Sequence, residues 1–262
     1  MPIAQLDTIA LNWREDGNPH GKAVVFANSL GTDLRLWDTV LPQLPEDLRY
    51  IRFDKRGHGL SDCPPAPYSM DELVEDAEQL LEHLGVRGAI FVGLSIGGLI
   101  AQGLAVKRPD LVKALVLSNT AAQMGSKVLW RDRISSVRAN GLESIAPNIL
   151  ERWFSPAFLT GDDVKAWHHM LTRMPAEGYC GCCAAIADAD LTPDLDRITQ
   201  PTLGIAGALD AASPPDLVEA TVARIAQSRM KVIEGTGHLP PVEAPQTYAR
   251  LLIRFFKEIH HA

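Results

Sequence analysis

One serine in this sequence is flanked by glycines at two-residue spacing, in Gly93-Leu94-Ser95-Ile96-Gly97. A hydroxyl nucleophile presented on a tight strand-to-helix turn needs that pattern. The turn strains the backbone of the serine, and glycine on either side lets the chain cross itself closely. A serine hydroxyl is a weak nucleophile until a base takes its proton. His238, in Glu234-Gly235-Thr236-Gly237-His238, is the best-placed base, because it follows the last apolar run and precedes the last helical pattern. His20 falls near a turn, His83 late in an amphipathic helix, and His168 and His169 in a stretch of different character. His58, in Arg56-Gly57-His58-Gly59, is the competitor and reads better as an ordering residue for its loop. A carboxylate must then fix the imidazole tautomer and stabilise imidazolium. Asp210 follows an apolar run through Gly207-Ala208-Leu209 and precedes His238, giving the chain order Ser, Asp, His. Asp216 is its rival, but it opens the next helix, where a first-turn acid is explained by the helix dipole. The oxyanion of an acyl-transfer intermediate would take the backbone N–H groups of Ile96 and of Leu30, the latter in the loop Asn28-Ser29-Leu30-Gly31.

These groups lie far apart in the chain, so a rigid frame must bring them to one rim. Short apolar runs at 23–27, 50–53, 89–92, 113–117, 202–206 and 230–233 read as buried strands, and residues 3–15 as two more with a turn near Asp7. Helical patterns lie between them at 35–44, 69–84, 96–107, 216–227 and 245–258. In 69–84, Ser69 and Glu72 make a capping box, Leu73, Ala77, Leu80, Leu81 and Leu84 an apolar stripe, and Gly85 the stop. Alternating strands and helices specify a mostly parallel sheet of eight strands with helices on both faces. Residues 123–195 break the rhythm, being mostly helical and carrying Trp130, Trp153 and Trp167. They are expected to form a helical cap over the C-terminal edge of the sheet, inserted into a core made of 1–122 and 196–262. The tail at 260–262 is expected to fray.

Composition narrows the classes. With 46% hydrophobic and 22% charged residues the chain folds around a core rather than staying disordered. A net charge of −7 with no basic block argues against nucleic acid. The start of the chain lacks a signal-peptide pattern, and the longest apolar stretch, 89–106, is interrupted by glycines and polar residues, so a cytoplasmic protein without a membrane span is expected. Cys180, Cys182 and Cys183 fall within four residues but lack a second ligand pair, so core or pocket-wall thiols are expected rather than a metal site. Neither a dinucleotide nor a phosphate-loop glycine pattern is present, and the expected chemistry calls for water and no cofactor.

Over nearly its whole length the chain resembles the 3-oxoadipate enol-lactonases of the α/β-hydrolase superfamily. The resemblance rests on Asn28-Ser29-Leu30-Gly31-Thr32, Asp54-Lys55-Arg56-Gly57-His58-Gly59-Leu60-Ser61, Gly93-Leu94-Ser95-Ile96-Gly97-Gly98 and Ser118-Asn119-Thr120-Ala121-Ala122. It extends to the cap stretch 130–154, to Glu177-Gly178-Tyr179, and to Cys182-Cys183-Ala184-Ala185-Ile186. The elbow and the Arg-Gly-His-Gly loop are shared across the superfamily. The Asn-Ser-Leu-Gly loop and the cap are the informative parts, since related hydrolases more often carry a His-Gly pair in that loop. Ser213-Pro214-Pro215 stands where the family has Thr-Pro-Pro. The resemblance implies an α/β-hydrolase fold and opening of 3-oxoadipate enol-lactone to 3-oxoadipate, by a lactonase not fused to a decarboxylase.

That substrate is an anion, and a buried carboxylate requires a charged or multiply hydrogen-bonded partner. The resemblance places a tryptophan and an arginine together in the cap, which selects Arg133, with Arg131 and Arg138 as alternatives. Trp130 and Trp153 would wall the pocket, and Ser29 would face substrate from the oxyanion loop. Two rivals remain at this level: another small-ester hydrolase or cofactor-free perhydrolase on the same scaffold, and a non-catalytic ligand-binding protein of the same fold. Whether the chain forms a homo-oligomer is left open.

Overall fold

The computed structural model describes residues 2–259, so the expected fraying at 260–262 lies outside the described residues. In chain order the elements are β1 (Ile3–Gln5), β2 (Ala10–Gly17), β3 (Ala23–Ala27), β4 (Arg49–Phe53), α1 (Met70–His83), β5 (Ala89–Leu94), α2 (Ile96–Lys107) and β6 (Val112–Ser118). A helical insertion follows: α3 (Lys127–Asn140), α4 (Ala146–Trp153), α5 (Pro156–Leu159), α6 (Val164–Thr172) and α7 (Ala176–Asp188). The chain then returns through β7 (Thr202–Gly207), α8 (Pro215–Val222), β8 (Ser228–Ile233), α9 (Pro240–Glu243) and α10 (Pro245–Glu258).

The strands form one eight-stranded sheet in the order β1-β2-β4-β3-β5-β6-β7-β8. β1 and β2 enter antiparallel, and every pairing from β4 onward is parallel. This is the mostly parallel eight-stranded sheet expected from the alternation of runs, and the α/β-hydrolase fold that the resemblance implies. The middle strands β5 and β7 are buried along their whole length, as covering by helices on both faces demands. α1 starts with Ser69 and Glu72 in a reciprocal capping box and buries Leu73, Ala77, Leu80 and Leu81. Gly85, just past its end, takes a left-handed φ of 64°.

Three expectations change. The pattern at 35–44 forms two short 3₁₀ segments, Leu34–Trp37 and Leu41–Gln43, because Pro42 supplies no N–H to a continuous helical ladder. α8 stops at Val222 instead of continuing to 227. β8 is largely exposed rather than apolar on both faces. It is the sheet's last strand, and only Met230 packs onto the small cluster of Ala206, Val218 and Val222 beneath α8.

Among the described residues the insertion contains no strand. α7 meets the sheet loops backbone to backbone: a side chain at Gly178 would start 2.1 Å from the Gly57 carbonyl oxygen. Only glycine permits backbones to meet this closely. The three cysteines of α7 are buried, free thiols. No described helix is long and apolar enough to cross a membrane.

Candidate active site

Ser95 is held between β5 and α2 with φ 57° and ψ −119°, a conformation that costs a non-glycine residue about 1–3 kcal/mol. The surroundings hold it there. Its N–H donates to the Ser118 carbonyl at 2.9 Å, and its own carbonyl accepts from Thr120 Oγ1 at 2.7 Å. A Cβ on Gly93 would lie 2.2 Å from the Gly97 oxygen, and one on Gly97 would lie 2.2 Å from the Ala27 oxygen. The flanking glycines are therefore needed for the crossing, as their spacing suggested. Ser95 precedes the first residue of α2, so the Ile96 N–H is among the helix-end donors that have no intrahelical acceptor.

His238 follows β8, in the loop before α9. Its Nδ1 lies 2.8 Å from Asp210 Oδ2. This fixes the proton on Nδ1 and leaves Nε2 as the acceptor. Asp210 comes from the loop after β7 and is thoroughly tied: Oδ1 accepts from the N–H groups of Ala212 and Ser213, at 2.7 and 3.0 Å, and Oδ2 accepts from Asn119 Nδ2 at 2.8 Å. Burial alone would raise its pKa. The His238 charge and these hydrogen bonds outweigh burial and hold the carboxyl below its ordinary value. Both residues are buried, and His238 shares a pocket with Ser95.

That pocket is lined from the sheet side by Ser29, Leu30, Ser95, Ser213 and His238, and from the insertion by Trp130, Arg133, Ile149, Arg152, Trp153 and Tyr179. Its free volume is about 60 Å³. A larger cavity of about 560 Å³ lies beyond the same loop, between Asp54 and α6, and holds neither the serine nor the imidazole. Chemistry, not size, selects the smaller one. Every residue expected in the site lines the pocket except Ile96 and Asp210, which meet it through Ser95 and His238. Arg131 and Arg138 are not among the lining residues. Ser29 Oγ is buried and has no hydrogen-bond partner among the described residues, so it is available to a ligand. His58 is buried away from the pocket, and its Nε2 accepts from the Gly31 N–H at 3.1 Å. It orders the Asn28–Gly31 turn as well as its own.

The Arg133 guanidinium lies over the Trp130 ring, 4.7 Å from its centroid, and its charge acts on Tyr179. Tyr179 remains a neutral phenol, since burial pushes its pKa up. Arg152 was not anticipated. Burial and then the neighbouring Arg133 charge lower its pKa, while Asp210 opposes them. Among the described residues neither arginine is paired with a carboxylate. Two like charges therefore face one pocket. The signal for Arg152 was available in the sequence, because it stands three residues after Ile149 and so on the same side of α4 as that buried residue. Two further positioning residues were missed. Asn119, with φ 47°, anchors Asp210. Glu243 accepts from the N–H groups of Gly237 at 2.6 Å and Ser155 at 2.9 Å, tying the histidine loop to the insertion.

A strained serine that shares a pocket with an imidazole held by a buried carboxylate is the arrangement of an acyl-transfer hydrolase. A family model described as the alpha/beta hydrolase fold matches residues 22–245, and the chain belongs to that family. Within it the chain is closely related to the 3-oxoadipate enol-lactonases and is a carboxylic-ester hydrolase. It is 38% identical over 242 residues to 3-oxoadipate enol-lactonase 2 of Acinetobacter baylyi, covering 92% of this chain and 90% of the relative. The crystal structure of the enol-lactonase from Burkholderia xenovorans LB400 superposes with a TM-score of 0.94 at 32% identity, covering 98% of this chain and all of the other. A hydrolase from Pseudomonas aeruginosa PA01 superposes with a TM-score of 0.92 at 38% identity, covering 97% and 98%.

Proposed function

We propose that the protein opens 3-oxoadipate enol-lactone, or an enol-lactone of the same size and charge, to the open-chain keto acid. The observation that carries this reading is the unpaired pair Arg133 and Arg152 in the pocket of Ser95 and His238. A neutral ester would leave those cations without a partner, whereas the substrate's free carboxylate supplies one.

In this reading His238 Nε2 takes the proton of Ser95 Oγ as the oxygen adds to the lactone carbonyl. Asp210 holds the other ring nitrogen and stabilises the imidazolium. The N–H groups of Leu30 and Ile96 receive the negative charge on the carbonyl oxygen. The intermediate collapses by breaking the ring C–O bond, and His238 returns the proton to the leaving enol oxygen. That group stays tethered to the acyl chain and tautomerises to a ketone. Water, deprotonated by His238, then adds to the acyl carbonyl, and the acid leaves as the Ser95 Oγ–C bond breaks and His238 returns the proton to Ser95 Oγ. Trp130, Trp153 and Ser29 shape the pocket around the ring.

The test is hydrolysis of 3-oxoadipate enol-lactone, followed by loss of its ultraviolet absorbance, for the parent and for Ser95→Ala, with a neutral aryl acetate as comparator. The expected result is a higher kcat/KM on the lactone than on the neutral ester, and loss of both activities in Ser95→Ala. A parent that cleaves the aryl ester and ignores the lactone refutes the substrate assignment and favours a neutral-ester enzyme.

A further inference from the structure

The loop that carries Leu30 rests on a buried ammonium. Lys55 is 2% exposed, and its Nζ donates to the Ser29 carbonyl at 2.8 Å and to the Thr32 carbonyl at 3.4 Å. The Ser29 oxygen also accepts from Thr32 Oγ1 at 3.0 Å and from the Thr32 N–H at 3.3 Å. One carbonyl thus collects three donors, one of them charged. The adjacent carboxylate favours this cation from a distance but makes no salt bridge to it among the described residues: Asp54 is occupied by the N–H groups of Leu34 and Leu60 and by Asn12 Nδ2, at 2.7, 3.0 and 2.7 Å.

A charge kept in the interior without a direct salt bridge is costly, and an apolar side chain of similar length would fill the same space more cheaply. Burial lowers the Lys55 pKa to about 8, which still leaves it charged at neutral pH. The carbonyl it grips belongs to the peptide unit whose nitrogen is Leu30. That unit is planar and trans, so its C=O and N–H point in opposite directions. Pulling the oxygen down toward Lys55 turns the N–H up, on the side where Ser29 and Leu30 line the pocket. Donors on the oxygen also polarise the unit and strengthen its N–H as a donor.

We propose that Lys55 is a positioning residue for the oxyanion hole: through the Ser29 carbonyl it aims and polarises the Leu30 N–H. This rests on the assignment of Ser95 and Leu30 made above.

The experiment compares the parent, Lys55→Met and Thr32→Val. For each it measures kcat and KM for lactone hydrolysis and the affinities for two small acids. One acid, 5,5,5-trifluoro-4-oxopentanoate, forms a tetrahedral adduct with a serine. The other, pentanoate, does not. Loss of a whole oxyanion donor costs about 100- to 1,000-fold in kcat, so weakening one is expected to cost about 10- to 100-fold in Lys55→Met and about 3- to 10-fold in Thr32→Val. The trifluoroketone affinity should fall in parallel, while KM and pentanoate affinity stay within about threefold, since neither ground state loads the hole. An unchanged ratio of trifluoroketone to pentanoate affinity overturns the proposal, whether both affinities fall together or neither does. If Lys55→Met does not fold, Thr32→Val decides by the same ratio. Failure of the underlying assignment gives a different result, because Ser95→Ala would then bind the trifluoroketone as tightly as the parent.

Discussion

On the proposed reading, replacing Arg152 with glutamine should leave turnover nearly indifferent to substrate charge. Two unit charges 4 Å apart attract by about 4 kcal/mol at an effective dielectric of 20, but the carboxylate gives up hydration to reach the arginine. A charge-assisted hydrogen bond nets about 1.5–3 kcal/mol, or roughly 10- to 150-fold in kcat/KM. The opposition between Arg133 and Arg152 modifies this figure. In the free enzyme each arginine raises the energy of the other, and removing one relieves its neighbour. The losses in Arg133→Gln and Arg152→Gln should therefore each fall in that range, and the double variant should lose a different amount from their sum. The assay is kcat/KM on the enol-lactone and on a neutral aryl acetate. The lactone value should drop mainly through KM, with the aryl acetate changing less than about threefold. A variant that loses both substrates equally shows that Arg152 shapes the pocket without binding an anion, and the substrate reading fails with it.

Asp210→Asn keeps the shape but permits the wrong imidazole tautomer, so kcat should fall about 10⁴-fold with the fold intact; a loss under about tenfold would mean that another group orients His238. Because the Asp210 pKa is depressed on folding, its contribution to stability is present above the ordinary carboxylate value and disappears as pH falls through the lower folded value. Urea unfolding should thus show a gap between the parent and Asp210→Asn that is full above about pH 4.5 and shrinks below about pH 3.8; a gap constant from pH 3 to 7 contradicts the linkage. Gly97→Ala should unfold the elbow, since its methyl would meet the Ala27 oxygen at 2.2 Å. A cost of several kcal/mol in thermal or urea unfolding is expected, and a variant with parental stability and turnover would show that the crossing is looser than drawn.

Much of this site was readable before any coordinates. Ser95, Asp210 and His238 each carry a local signature, because glycine-rich turns after apolar runs leave few residues that can reach the sheet's rim. Arg133 was reached differently, through the resemblance that puts a tryptophan and an arginine together in the cap; in the structure it lines the pocket beside Trp130, where Arg131 and Arg138 do not. Asn119 and Glu243 left no such mark. Asn119 matters because β6 neighbours β7, which brings its amide to Asp210 across 91 positions of chain. Glu243 matters because its carboxylate spans to Ser155, 88 positions away. No periodicity encodes contacts of that separation. The misreading of 35–44 was local instead, and Pro42 had already announced it.

The His238 N–H donates to the carbonyl of Trp153, at 2.8 Å. Together with the Glu243 tether to Ser155, this means that the His238 loop hangs partly from the helical insertion. Chimeras that exchange the insertion between relatives while cutting between 153 and 155 would sever the suspension of the imidazole and lose turnover even with every reacting side chain retained. Grafts that keep 153–155 with the recipient sheet should preserve chemistry and alter only which molecules are admitted.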